Sequence, residues 1–178
     1  KKILKTFNLI STKPKIFICN LNEKEKLDDN KHINLIKNNL NDERSIIISI
    51  SAEIESQISQ LENEVEKKEF LDSLDWNSSG LDRIIKSSYS KLNLITYFTA
   101  GEKETKAWTI KRNSTAPDAS AIIHTDFKKG FICAETTSYE DYIKYGGSKG
   151  AKENGKIRQE GKEYLIKDGD VVHFLFNV

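Results

Sequence analysis

The fold of the first half of the chain is decided by the stretch KIFICNLNE at residues 15–23, an apolar run that ends in a polar loop. An apolar run without polar alternation is typical of a strand that is covered on both faces, as in a parallel sheet. A second run of this kind begins the stretch IIISISAE at residues 46–53. Between the two, residues 31–40 carry apolar side chains at helical spacing. The sequence therefore predicts an α/β arrangement with a parallel sheet.

Further helices are expected in the first half. One has its apolar side chains at intervals of four, three and four residues, which places them on one stripe: Ile54, Ile58, Leu61 and Val65. Glu53 and Glu55 lie in its first turn, where the helix dipole favours acidic side chains. Another helix begins near Ser79, which forms a capping-box pattern with Asp82. A short helix is also predicted over residues 2–9.

From Ile95 onward the sequence is richer in β-branched and aromatic runs. Strands are expected at residues 96–99, 107–110, 131–136, 163–166 and 171–178. Helices are expected from Ala116 and over residues 139–145. This order suits an α+β domain in which a helix crosses a small mixed sheet. The predicted domains are residues 1–92 and residues 93–178.

Composition limits the classes of protein to which the chain can belong. Its 178 residues carry 28 basic and 27 acidic side chains, and the second domain has 13 against 12, so charge alone does not indicate a nucleic-acid partner. No apolar run approaches the ~20 residues that span a membrane, and no secretory signal is expected. Cys19 and Cys133 are too far apart for a disulfide framework or a zinc site, which favours a cytoplasmic, reducing setting. Because the chain contains no Met, we expect it to be part of a longer protein.

Two polar loops at predicted strand ends are the strongest candidates for a binding site. Ligands of open parallel sheets lie at the carboxyl ends of the strands, where Asn20-Leu21-Asn22-Glu23 and Ser51-Ala52 fall. In P-loop GTPases, loops with the patterns N-K-x-D and S-A at such places hold the base. An Asn side chain suits a purine edge because one amide offers a donor and an acceptor. The alternatives are an ordinary polar loop for residues 20–23 and a helix N-cap for Ser51.

The two departures from N-K-x-D bear on the choice of base. An Asp at the fourth position accepts from the two adjacent donors of guanine, N1–H and the 2-amino group. Glu23 is one methylene longer, so it must swing aside or collide, and its carboxylate would repel the N1 lone pair of adenine. Selectivity for guanine should therefore be weakened. Adenine fits if Glu23 turns away and the backbone of Leu21 meets the edge of the base.

Longer stretches resemble one family, the Obg-like ATPases of the YchF type. Residues 13–23 resemble the nucleotide-base segment of that family, and residues 79–86 resemble the helix that leads out of its nucleotide domain. The resemblance continues into the C-terminal TGS domain of the family, through residues 97–101, 106–110, 123–131 and 168–174.

The resemblance implies a fold and an activity. Residues 1–92 would be the C-terminal part of a P-loop nucleotide-binding domain, and residues 93–178 a ubiquitin-like β-grasp TGS domain. The longer parent protein would bind and hydrolyse ATP, with weak selectivity against GTP. Its contacts to the base would come from Asn20, Leu21, Glu23, Ser51 and Ala52. The family has its phosphate loop and Mg²⁺ ligands upstream of the matching segment. The chain has no G-x-x-x-x-G-K-[ST] motif, so we expect no catalytic and no metal-binding residue in it, and no hydrolysis by it alone.

The resemblance also implies association with ribosomes or RNA through the second domain. The basic residues that would make such contacts are Lys149, Lys152, Lys156 and Arg158, and the alternative for them is an ordinary solvated helix face. The alternative function is a non-catalytic module that binds ribosomes, RNA or protein through its TGS domain. No membrane partner is expected, and a monomer is the simplest expectation.

Overall fold

The chain divides into two compact units, and each is described here by itself. The computed structural model describes residues 6–7, 9–10, 13–25, 30–40, 45–101 and 103–177. The first unit is Lys1–Lys91 and the second is Leu92–Val178, a division one residue before the expected boundary. The helix predicted over residues 2–9 falls largely outside the described residues. No helix in the described ranges combines the length and the apolar character that crossing a membrane requires.

The first unit contains a parallel pair of strands and four helices over its described residues. Strands β1 (Ile16–Asn20) and β2 (Ile46–Ile50) pair in register, with Ile16 opposite Ile46. This parallel pairing is the arrangement expected from the two apolar runs. The helices are α1 (Lys31–Asn39), α2 (Ala52–Gln60), α3 (Glu64–Ser73) and α4 (Gly80–Leu92).

Two expectations for this unit are wrong. Strand β1 is not covered on both faces, since Ile18 keeps 51% of its surface exposed. The described part of this sheet has only two strands, so β1 has a strand neighbour on one edge alone, and no described element buries Ile18. The predicted helix through Val65 is in fact two helices, because Asn63 accepts from the N–H of Glu66 at 2.7 Å and so begins α3. Val65 is consequently 67% exposed instead of lying on the stripe of α2.

The second unit is built on a mixed five-stranded sheet with the strand order β4-β3-β7-β5-β6. Strand β3 pairs parallel with β7, and every other neighbouring pair is antiparallel. The strands are β3 (Leu94–Ala100), β4 (Thr105–Lys111), β5 (Phe131–Ser138), β6 (Arg158–Glu160) and β7 (Asp170–Phe176). The helices are α5 (Ala116–Ile123), α6 (Thr125–Lys129), α7 (Tyr139–Lys144) and α8 (Ser148–Glu153).

Helix α5 lies against the sheet and closes the core of this unit. Its residues Ala116 and Ala119 are fully buried, and their small side chains allow the helix to approach the strands closely. Tyr97 of β3 is also fully buried, and its hydroxyl donates to the carbonyl of Ala119 at 2.9 Å. Burial raises the pKa of this phenol well above its usual range. The edge of the Tyr97 ring meets Phe174 of β7, so one aromatic side chain joins helix and sheet.

The strand predicted over residues 163–166 is wrong. This segment makes a single bridge, between Leu165 and Thr115, and the fourth strand of the unit is instead β6. The reason lies in Tyr164, whose hydroxyl donates to Asp170 at 2.8 Å. That carboxylate, 3% exposed, also accepts from the N–H of Lys167 at 2.9 Å. The segment is therefore held by these side-chain contacts and by two backbone hydrogen bonds to residues 114–116, and it does not extend into a ladder.

Candidate functional site

The two polar loops of the first unit meet at one edge of its sheet. The side-chain oxygen of Asn20, the last residue of β1, accepts from the backbone N–H of Ala52 at 2.9 Å. Next to it, the N–H of Leu21 donates to the carbonyl of Ile50 at 2.8 Å. Residues 32 positions apart in the sequence are thereby joined by side chain and backbone. This placement follows from the parallel register, which brings the carboxyl ends of both strands together.

A cavity of about 560 Å³ opens where the loops meet. Four of the five residues expected at the base site lie on its wall: Asn20, Leu21, Glu23 and Ala52. Asn22 and Glu53 complete the lining. Asn22 shapes the loop, since its side chain accepts from the N–H of Lys24 at 3.2 Å and its N–H donates to Glu25 at 3.1 Å.

Ser51, the fifth expected residue, is not among the residues that line this cavity. It is 1% exposed and occupies the N-cap position of α2. Its hydroxyl nevertheless makes no capping bond and has no hydrogen-bond partner among the described residues. The alternative of a helix N-cap is thus confirmed for the position of Ser51, but its hydroxyl does not make the capping bond. Buried hydroxyls without partners are rare because each costs about 1–3 kcal/mol.

The cavity presents groups of complementary chemistry. The acceptor of the Asn20 amide is engaged by Ala52, which leaves its NH₂ group as a donor. The N–H of Leu21 is engaged by Ile50, which leaves its carbonyl oxygen as an acceptor. The carboxylate of Glu23 is exposed and forms no ion pair or hydrogen bond within the described ranges. A donor and an acceptor so placed can bind a flat heterocycle that has both kinds of group on its edge.

Helix α4 supports the loop that begins α2. The carboxylate of Glu55 accepts from the N–H of Gly80 at 2.6 Å and from the N–H of Leu81 at 3.2 Å. The guanidinium of Arg83 donates to the carbonyl of Ser49 at 2.8 Å and lies 5.9 Å from the Trp76 ring. Gly80 is required here because a Cβ atom would come within 2.6 Å of Ile50.

Sequence reasoning assigned Glu55 to the dipole of its own helix and did not single out Arg83. The structure instead uses the Glu55 carboxylate to cap α4, 25 residues further along the chain. The predicted cap of α4 is present as well, since the hydroxyl of Ser79 accepts from the N–H of Asp82 at 3.0 Å. The available signal was Gly80 directly after Ser79, at the start of a helix, where a side chain would be in the way.

The four basic residues predicted to contact RNA lie in different surroundings within the second unit. Lys149 and Lys152 line a cavity of about 430 Å³ beside the sheet. Lys156 is exposed, and its ammonium group lies 6.0 Å from the ring of Tyr145. Arg158 is engaged within the unit, with ion pairs to Glu160 at 3.2 Å and to Asp170 at 3.9 Å. In the part of the chain that the structure describes, no three His, Cys, Asp or Glu side chains form a metal-binding group.

Comparisons with known proteins give consistent matches. The model of the YchF-GTPase C-terminal family, described as a protein of unknown function (DUF933), matches residues 94–177. The chain is 49% identical over 180 residues to the ribosome-binding ATPase YchF of Bacillus subtilis, covering 100% of this chain and 49% of that protein. It is 46% identical to the ribosome-binding ATPase YchF of Escherichia coli O157:H7, covering 100% of this chain and 48% of that protein.

A solved structure gives the same picture. The YchF GTPase of Schizosaccharomyces pombe superposes with a TM-score of 0.81 at 34% identity, covering 98% of this chain and 46% of that one. The chain spans about half the length of the curated relatives that it matches.

Proposed function

The chain belongs to the YchF family, and from that membership we propose that it is part of a longer ATPase. In this proposal the parent protein binds and hydrolyses ATP, with weak selectivity against GTP. We further propose that the protein works in the cytoplasm and associates with ribosomes, as the names of its relatives say of them. In this proposal the first unit supplies the base site and the second unit supplies the ribosome-binding surface.

The observation that carries the base site is the hydrogen bond from Ala52 to Asn20, which brings the two candidate loops together. The free NH₂ group of Asn20 suits the N7 acceptor of a purine. The free carbonyl of Leu21 suits the exocyclic amine of adenine, a donor that guanine replaces with an acceptor. Glu23, exposed and without a partner among the described residues, can turn away from the base. Ser51 completes the site as the buried hydroxyl under the loop.

A double substitution in the full-length parent tests this assignment. Leu21→Lys with Glu23→Asp restores N-K-x-D, so the ratio of kcat/KM for GTP to that for ATP should rise about tenfold or more. A matched control is Leu35→Lys with Glu69→Asp, which makes the same changes at exposed positions outside the cavity. An unchanged ratio in the first variant would show that these positions do not choose the base.

We propose that phosphate binding, Mg²⁺ coordination and hydrolysis belong to another part of the parent protein. The sequence has no G-x-x-x-x-G-K-[ST] stretch, and the described residues offer no metal-binding group. Transfer of a phosphoryl group depends on positioning and charge stabilisation at the phosphates and the metal. The 178-residue chain alone should therefore show no ATP turnover, and measurable turnover by it would refute this division of roles.

We propose that the second unit is a TGS domain with the β-grasp fold. The support is its strand order, in which the first and last strands of the unit are parallel and central and each is flanked by an antiparallel neighbour. Helix α5 packs on this sheet through Ala116 and Ala119. The family match over residues 94–177 covers the same unit.

The proposed ribosome or RNA contacts are Lys149, Lys152, Lys156 and Arg158. Arg158 should contribute least because its guanidinium already pairs with two carboxylates. Co-sedimentation of the parent with ribosomes should fall severalfold when Lys149, Lys152 and Lys156 are replaced by alanine together. The same triple substitution at Lys86, Lys91 and Lys111 is the control. Equal sedimentation of both triple variants would place the ribosome contact elsewhere.

The alternative, a non-catalytic binding module, is favoured by one observation: the second unit has a complete sheet and core of its own. Ribosome binding by a parent whose base site has been removed with Asn20→Ala would support that alternative. Binding that is lost together with nucleotide binding would favour the coupled ATPase.

A further inference from the structure

The cavity that Lys149 and Lys152 line is a cleft formed within the second unit by strands on one side and helices on the other. Its floor is formed by β5 and β7, where Glu135 and His173 are direct neighbours across the strand pair. Its wall is formed by Tyr142 of α7 and by the two lysines of α8. With about 430 Å³ it has the size of small-molecule sites, which run from about 300 to 1,000 Å³.

Two lysines, one glutamate and one histidine around the cleft are not engaged by other side chains of the fold. Lys149, Lys152, Glu135 and His173 form no ion pair and no side-chain hydrogen bond with any described residue. Two lysines and one carboxylate around the same cavity thus leave charge of both signs available to a ligand with complementary ends.

The arrangement of charge defines that ligand. The two lysines lie three residues apart on α8, so both face the same side and can share one anionic group such as a phosphate. Glu135, on the floor, is an acceptor that suits a group with two adjacent donors. Between these ends, Val171 and Ile157 offer apolar surface for a flat ring.

We propose that this cleft binds a single unpaired guanine nucleotide, with its phosphate on Lys149 and Lys152 and its Watson–Crick edge on Glu135. Guanine presents two adjacent donors, N1–H and the 2-amino group, whereas adenine presents a lone pair that the carboxylate repels. Uracil offers a single donor between two acceptors, and cytosine a single amine. The inference rests on the proposed RNA association, and it names the nucleotide that the second unit recognises.

The test uses the 178-residue chain and 5′-fluorescein-labelled RNA pentamers, AAGAA and AAAAA, with fluorescence anisotropy as the readout. AAGAA should bind about tenfold more tightly, the discrimination of one good bidentate base contact. Unlabelled GMP and AMP are used as competitors, because they show whether the cleft binds a nucleotide within an RNA strand or a free nucleotide. If GMP displaces AAGAA only at much higher concentration, the source is an RNA strand. If GMP matches the pentamer, the source is the free nucleotide.

Substitutions assign the two ends of the cleft. Glu135→Gln should reduce the preference for AAGAA over AAAAA to about twofold or less while leaving AAAAA binding unchanged. Lys149→Ala with Lys152→Ala should weaken both pentamers and lower the magnitude of the slope of log K against log salt concentration by about 0.7, the value for the one phosphate that the two lysines share. Matched controls outside the cleft are Glu163→Gln and Lys111→Ala, and circular dichroism checks the fold of each variant.

Equal affinity of the wild-type chain for both pentamers overturns the proposal, as does a guanine preference that survives Glu135→Gln. Ribosome co-sedimentation of the parent keeps this outcome separate from that of the proposed function. A parent that sediments with ribosomes while the chain shows no guanine preference refutes the cleft alone. A guanine preference without sedimentation refutes ribosome association alone.

Discussion

Replacing Glu55 by alanine tests whether one carboxylate holds α4 against the loop that begins α2. Two backbone N–H groups at the start of α4 depend on it, at 2.6 Å from Gly80 and 3.2 Å from Leu81. A hydrogen bond to a charged group contributes about 1.5–3 kcal/mol, and an acidic group at a helix N-terminus about 0.3–1 kcal/mol more.

The burial of the two donors decides how much of this energy is lost. Gly80 is buried, so its N–H would stay without a partner in the variant. Leu81 is 58% exposed, so water can replace the carboxylate at its N–H. The sum is about 2.5 kcal/mol for Glu55→Ala, and about half of that for Glu55→Gln, whose amide oxygen can still accept one bond.

Hydrogen exchange followed residue by residue is the assay, because it separates the two units. Amide protection in α2 and α4 should fall about 60-fold in Glu55→Ala, while protection in β3, β5 and β7 stays unchanged. A thermal transition assigned to the first unit should shift downward by about 10–20 °C.

Glu53→Ala is the matched control, since Glu53 lies in the same first turn of α2 but is exposed and caps no other helix in the described structure. Its loss should cost only the dipole contribution, about 0.5 kcal/mol. If Glu53→Ala and Glu55→Ala had equal effects, both residues would act on their own helix and the assignment of Glu55 to α4 would be refuted.

Four further predictions concern stability. Burial raises the pKa of Tyr97 above its usual range and raises that of Tyr164 to about 12. The free energy of unfolding of the second unit in urea should therefore be constant below pH ~10 and fall as the pH rises above it. Replacing both tyrosines by Phe should remove that pH dependence. Asp170→Asn should cost the second unit about 2–3 kcal/mol in chemical denaturation, because a buried charged acceptor of two hydrogen bonds is lost; a loss below 0.5 kcal/mol would contradict this. Gly150→Ala should lower the melting temperature of the second unit, because its Cβ would overlap the carbonyl oxygen of Tyr145, and an unchanged melting temperature would show that α8 moves freely. Hydrogen exchange in the unmodified chain should be faster throughout the first unit than in the strands of the second, and equal protection would contradict the role of the open two-stranded sheet.

Much of the fold could be predicted from the sequence where local chemistry decides it. The run at residues 15–20 and the run at 46–50 are strands because apolar side chains repeat without a helical period. The start of α5 was readable because Thr115 and Pro117 are favourable at a helix N-terminus, and Thr115 does accept from the N–H of Asp118. In each case the deciding residues are neighbours in the chain.

Where a distant residue decides, the sequence was misleading. Residues 163–166 have the composition of a strand, yet they pair with residues 114–116 in a single bridge, and the hydroxyl of Tyr164 binds Asp170 at the start of β7. Ile18 has the sequence surroundings of a buried strand residue, but how far it is covered depends on which other elements pack on its face of the sheet. Glu55 was readable as a residue of its own helix because its partners lie 25 and 26 residues away.

The proposed cleft shows the same limit for charge. With 13 basic and 12 acidic side chains from residue 93 onward, net charge predicts no strong attraction to RNA. Net charge does not show where charged side chains lie. Lys149, Lys152 and Glu135 line one cavity and have no ion-pair partner among the described residues. A surface that tracks an RNA backbone would neutralise many phosphates, and its affinity would fall steeply with salt. A cleft that holds the phosphate of one nucleotide between two lysines should give a slope of only about −0.7, a value that a nearly neutral unit can produce.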